Sequence, residues 1–398
     1  MAAWTNIVTD TYPVPVAGRG SQRSAFGQLL VDQLTPIAGW TFPFNQVNDR
    51  IVVSSASGAG AAVTVSNGRA SIASGTASNG TASIRSRRPL RYVNGVGSRA
   101  VVACLFSAPQ ASSSMIVGVG DTGDGFFFGY NGLDFGILRR SAGVDTWVTQ
   151  AAWDDNPATW DLPFDPAKGN VYAISYQWLG FGEIRFFIED PTSGSFRQVH
   201  RIQFANANTE TSIRNPQLPL TAIVTNAGNT TPVSISTASG MGFHEGHVPL
   251  EVNAIPHTAT ATKAGITTEV PVLSIRAEST HNSVANRATV DLRGISIYGE
   301  GTGTNPVTWR LRLNPSSLTG PSWAAVSSTA SVVDVDTAAS ALTGGEVLWA
   351  QNRARNSGDW LDLASLGIFL VAGDVLTLTC ASASSITANA ALNWLEEW

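Results

Sequence analysis

The chain has 398 residues, of which only 13% are charged while 43% are hydrophobic, against a globular norm of roughly a quarter charged. Ample core-forming material with little charge excludes intrinsic disorder. A formal net charge of −5 excludes a protein whose main work is neutralising phosphate, so nucleic acid is not an expected partner.

The charge is unevenly placed. Residues 1–249 hold 16 basic and 16 acidic side chains, whereas 250–398 hold 8 and 13, and only Lys168 and Lys263 are lysines. Two parts with different surfaces are expected. Cys104 and Cys380 are the only cysteines, which excludes a disulfide framework and reads as two buried thiols. The first sixteen residues are polar and proline-broken, unlike a secretory signal. No run reaches the roughly 18 apolar residues of a spanning helix, so membrane insertion is not expected.

From the N-terminus, Tyr12 to Val16 alternates with proline and must run extended. Residues 21–34 place Phe26, Leu29, Leu30 and Leu34 at near-helical spacing behind Ser21 or Ser24 as N-cap. Residues 1–45 therefore read as an arm with one short helix, suited to anchoring on a partner or neighbouring subunit.

From Trp40 the pattern changes to short apolar or alternating runs broken by Asn-Gly, Asp-Gly and Ser-Gly turns, which are strand signals. Thirteen strands are expected between Arg50 and Gly242, the clearest being a hairpin of 171–178 with 182–189 and a third strand after Gly194. So many short strands with almost no helix predict an antiparallel β-sandwich of the jelly-roll or lectin-like kind over 46–247. The Thr/Ala-rich stretch 252–265 reads as a linker. Seven or eight further strands, one of them over 361–369, make 248–398 a second, smaller sandwich, so the fold class is all-β with two domains in series.

Chemistry is sparse in the sequence. Asp121 and Asp124 form an acidic loop that could offer oxygens to calcium, although a β-turn wants the same residues. Trp147, Trp153 and Trp160, in a loop read over 147–165 between strands, are candidates for stacking on a sugar ring, with core packing as the plain alternative. Arg85, Arg87, Arg88 and Arg91 are the only basic cluster and suit bidentate pairing at a subunit interface. His244 and His247 are three apart across a glycine, unlike a zinc helix. Glu183 and Glu189, six residues apart on one strand, are roughly 20 Å apart by strand rise, too far for a hydrolytic pair. No nucleophile elbow or phosphate loop is present. No cofactor and no catalytic residue are assigned.

The runs DGFFFGYNGLDFGILRR, DPAKGNVYAISYQWLGFGEIRFFIEDPTSGSFRQVHRIQFANAN and NPQLPLTAIVTNAGNTTPVSISTASGMGFHEG together resemble a lectin-like β-sandwich domain of structural proteins in tailed bacteriophages and some large DNA viruses. The resemblance covers about residues 40–246. It implies a non-enzymatic virion component on the particle surface, such as a capsid decoration protein or a head or tail fibre. It also implies contacts with other virion proteins through the arm. A homotrimer is expected from the arm, the low charge and the appendage reading. The alternatives are a receptor-binding fibre module that holds host cell-surface glycan and a polysaccharide-degrading enzyme.

Overall fold

In the computed structural model, residues 34–246 and 254–398 are described, and the chain divides into two compact units, Met1–Val248 and Pro249–Trp398. Phe26, Leu29 and Leu30, with the expected helix up to residue 33, lie outside the described residues. No α-helix occurs among the described residues; the only helical turns are three 3-10 segments.

In the first unit the strands are β1 (Leu34–Thr41), β2 (Val52–Ser57), β3 (Ala62–Ser66), β4 (Arg69–Ala73), β5 (Thr81–Ser86), β6 (Gly97–Phe106), β7 (Ser113–Gly120) and β8 (Gly125–Asn131). They continue as β9 (Asp134–Ser141), β10 (Val144–Thr149), β11 (Asn170–Tyr176), β12 (Ile184–Asp190), β13 (Ser195–Ile202), β14 (Leu220–Asn226) and β15 (Ser234–Glu245). One sheet runs β13-β12-β11-β6-β15-β4-β3 with β1 also on β15, and the other runs β10-β9-β8-β7-β14-β5-β2. Every pairing in both is antiparallel.

Alternation fixes which residues fill the space between the sheets. In β8, Phe126 and Phe128 point inward and meet Tyr176 and Phe186 of the facing sheet at ring-centroid distances of 5.3 and 5.4 Å. Phe127 points outward, yet it is buried with Ile116 and Leu138 in a smaller cluster on the far face, with Trp147 and Ile223 packed against it. Gly240 in β15 faces the core, where a Cβ would come within 2.9 Å of the Trp40 indole. Its missing side chain is the space that Trp40 fills. Cys104 and Cys380 are both buried free thiols, and burial pushes the Cys380 thiol up to about 12.

In the second unit the strands are β16 (Ala254–Ile266), β17 (Val270–Ala277), β18 (Thr280–His281), β19 (Val284–Ala285), β20 (Thr289–Glu300), β21 (Val307–Leu313), β22 (Ser317–Thr319) and β23 (Ala324–Ala325). They continue as β24 (Val333–Asp336), β25 (Ala341–Thr343), β26 (Glu346–Arg353), β27 (Gly358–Asp362), β28 (Phe369–Leu370), β29 (Val375–Ser382) and β30 (Ile386–Glu397). The two main sheets run β16-β30-β20-β27, with β28 on β20, and β23-β24-β17-β29-β21-β26. Trp309, Trp394, Leu311, Leu378 and Ile297 lie in the core between them.

Four expectations need correction. Leu34, counted on the helix, opens β1, and β1 pairs with β15, so residues 34–41 belong to the sandwich rather than to the arm. Val144–Thr149 is an edge strand paired with β9, not loop. The Thr/Ala stretch taken as linker is mostly β16, thirteen residues paired with β30; small residues alternating with threonine satisfy a strand without the bulky side chains that usually announce one. The expected strand 361–369 is two strands, split by a 3-10 turn at Ala364–Leu366 that ends on Gly367 at φ 60.

Candidate functional site

The segment between β10 and β11 was expected to offer tryptophans to a ligand. Its first residues after β10 form the 3-10 turn Gln150–Ala152, and a second follows at Pro157–Thr159. Trp153 and Trp160 are each 6% exposed and belong to the core, so neither presents a ring face to a sugar. The Trp153 indole N–H donates to the Val148 carbonyl at 3.1 Å. The Trp160 indole N–H donates to Asp155 Oδ1 at 3.2 Å. Asp155 in turn receives two bonds from Arg197 on β13, at 2.5 and 3.1 Å. The Asp155 backbone N–H donates to Val199, and Arg201 N–H to Asp154. The segment thus straps the outer edge of β13, satisfying backbone groups that an edge strand leaves open. Trp147 is half-buried on the outer face beside Leu138.

The acidic turn before β8 is equally committed. Asp121 Oδ1 accepts from the backbone N–H groups of Gly123 and Asp124 at 2.7 and 3.2 Å, the bonding of an Asx turn. Asp124 is 5% exposed, and its Oδ1 accepts from Ala142 N–H at 3.2 Å and Arg214 N–H at 2.9 Å. These oxygens hold backbone where calcium was entertained. No cluster of three or more His, Cys, Asp or Glu side chains is gathered for a metal among the described residues.

The basic cluster is not one patch. Arg85 is exposed on β5, Arg87 and Arg88 are half-buried, and Arg91 is buried at 6% exposure. The Arg91 carbonyl lies 2.6 Å from His244 Nε2. Burial holds His244 below its ordinary value.

What Asp124 joins is the rim of a cleft that sequence reasoning missed. One wall is the β9–β10 turn; the other is the segment between β13 and β14. The cleft encloses about 440 Å³ and is lined by Arg139, Ser141, Ala142, Val144, Phe204 and residues 208–211 and 214. Arg139 lies at its base, donating to the Ser212 carbonyl at 2.8 Å and the Thr146 hydroxyl at 3.2 Å. Its guanidinium sits 5.2 Å from the Phe204 ring, and burial pulls it below its ordinary value. Arg214 and Glu210 are exposed at the mouth, and neither forms an ion pair or side-chain hydrogen bond among the described residues. Glu210 is the only acidic residue of the lining. The signal for this site was a long segment with little regular structure, 203–219, and such segments carry function more often than the elements they join.

No family model matches the chain, and no curated protein matches its sequence. Among solved structures, one from work on endo-acting O-glycanases of human gut microbiota that initiate mucin breakdown is 12% identical, with a TM-score of 0.37, over 52% of this chain and 99% of that one. The carbohydrate recognition domain of Emp47p is 10% identical, with a TM-score of 0.33, over 54% and 95%. Lectin II from Ulex europaeus is 8% identical, with a TM-score of 0.33, over 53% and 99%.

Proposed function

We propose that the chain is a non-enzymatic surface protein of a virus particle of the tailed-phage kind, and that its larger sandwich binds host glycan in the Arg139–Arg214 cleft. The observation that carries the binding reading is the mouth of that cleft. Arg214 offers an uncommitted planar fork, which matches a carboxylate on an acidic sugar bidentately. Asn208, Thr209, Thr211 and Glu210 line the same cleft and supply partners for hydroxyls. A single carboxylate can orient a sugar but cannot by itself provide the acid and the second carboxylate that glycosidic cleavage uses.

The virion reading is supported by the sequence resemblance and by the low charge, which lets repeated surfaces pack without unpaired ions. In this reading the arm before β1, residues 1–33, attaches the chain to other virion proteins and three copies associate. The test is a glycan array probed with the wild-type chain and with Arg214→Ala. Acidic-glycan hits that the substitution removes are the expected result, and any hit that is cleaved on incubation would replace this reading with a hydrolase. Immunogold labelling of purified particles checks location, and sedimentation equilibrium checks the trimer.

A further inference from the structure

The second unit carries a ligand-facing feature of its own. Trp360, on the edge strand β27, is 62% exposed, whereas its neighbour Leu361 packs against the core. The indole is seated on the sheet: its Cζ2 and Cε2 atoms are 3.3 and 3.5 Å from where a Cβ of Gly294 would stand. A glycine at 294 is what lets the ring rest on backbone. Across the sheet from Trp360 the register runs through Ser296, Ala391 and Thr260. On one side lies the row Gly358, Tyr298, Asn389, Thr262, and on the other the row Asp362, Gly294, Asn393, Thr258.

In these three rows Asp362 is the only charged residue, and its Oδ1 is occupied by the Ala364 N–H at 2.9 Å. Arg293, the bulge residue before Gly294, adds one cation at that end. The Trp360 indole N–H, the Ser296 hydroxyl and the Asn393 amide make no hydrogen bond among the described residues. Thr262, by contrast, is bonded to Asn389 at 2.7 Å.

The geometry points to a binding face for a neutral oligosaccharide, centred on Trp360 with Ser296 and Asn393 as its hydrogen-bonding partners. The choice of ligand follows from the chemistry. A ring held against backbone has little conformational freedom to lose, and an exposed indole is the side chain that stacks on the C–H face of a pyranose. The indole lies over Gly294, whose cross-strand neighbour is Asn393 and whose same-face neighbour along β20 is Ser296, so a strand spacing of about 4.8 Å and a repeat of about 6.8 Å set both residues beside the ring. One cation cannot serve a polyphosphate, and outside Trp360, Tyr298 and Ala391 the rows hold only polar side chains and glycine, with no aliphatic side chain larger than alanine for an aliphatic peptide to pack on. This site shares no residue with the cleft of the first unit, so either can fail alone.

The test uses the full chain on an array of neutral and acidic glycans, comparing wild type, Trp360→Ala, Ser296→Arg and Arg214→Ala, with thermal melts to confirm folding. Neutral-glycan binding is expected to weaken about tenfold or more in Trp360→Ala and Ser296→Arg and to be unchanged in Arg214→Ala. Ser296→Arg keeps the ring while adding bulk and charge beside it, so it informs even where the tryptophan variant is unstable. Wild type without neutral-glycan hits, or hits that survive both substitutions, overturns the proposal. So does sedimentation showing that either substitution dissociates an oligomer, because the face would then meet a second copy of the chain.

Discussion

The guanidinium of Arg197 lies 4.7 Å from the ring centroid of Trp160, and both residues are bonded to the same carboxylate, Asp155. The three lock a segment that has almost no regular structure onto an edge strand. Arg197→Ala removes a bidentate pair and a cation–π contact together. Since the Arg197 and Asp155 side chains are 35% and 29% exposed, solvent screening limits the loss to about 1–2 kcal/mol. Urea denaturation measures it, and faster proteolysis within 150–165 is the accompanying local signature.

Trp153 tests the reassignment from ligand contact to core. It packs against Phe128 and Phe135 at centroid distances of 5.9 and 6.0 Å. Trp153→Ala is expected to cost about 3–5 kcal/mol. A melting temperature equal to that of wild type, combined with lost glycan binding, would restore the original assignment.

Asp124 ties the two walls of the cleft through two backbone N–H groups. Asp124→Ala leaves those donors without their acceptor, at about 1–3 kcal/mol, and is expected to weaken binding in the cleft more than it weakens overall stability. Asp124→Asn keeps an acceptor oxygen in place and should retain most of both. Addition of a chelator should leave the melt of the wild-type chain unchanged, because the oxygens of Asp121 and Asp124 that the turn uses already face backbone donors.

His244 sets a pH dependence. Burial lowers its pKa, helped by the nearby Arg91 charge and opposed by the bond to the Arg91 carbonyl. His200 is likewise lowered by burial, against the pull of Asp154. In the unfolded chain both titrate near 6.5. Below that value the unfolded state takes up protons that the folded state refuses, so stability is full above about pH 6.5 and falls as the pH drops toward the lowered folded values. Denaturation midpoints at pH 7 and pH 5 should show this loss, and His244→Gln should flatten it.

The sheets were legible where bulky residues alternate between turn signals. The three strands 170–176, 184–190 and 195–202 pair consecutively, as the hairpin reading of this segment anticipated. Leu34–Thr41 was misread because Phe26, Leu29, Leu30 and Leu34 share a helical spacing that no local rule arbitrates against β pairing. Ala254–Ile266 was missed because its strand character lies in alternation of small residues, and only its partner β30 makes that alternation useful.

The sequence by itself determined the all-β class, since period-two patterning and turn chemistry are local properties of the chain. It also determined the supply of arginine and aromatic side chains. Only the tertiary structure decided which of these meet solvent. Trp153 and Trp160 went to the core and Trp360 to the surface, although each sits in an equally polar stretch. Burial is a property of what packs from distant segments: Phe128 packs on Trp153 and Arg197 on Trp160, while Gly294 supports Trp360 from beneath and leaves it 62% exposed among the described residues.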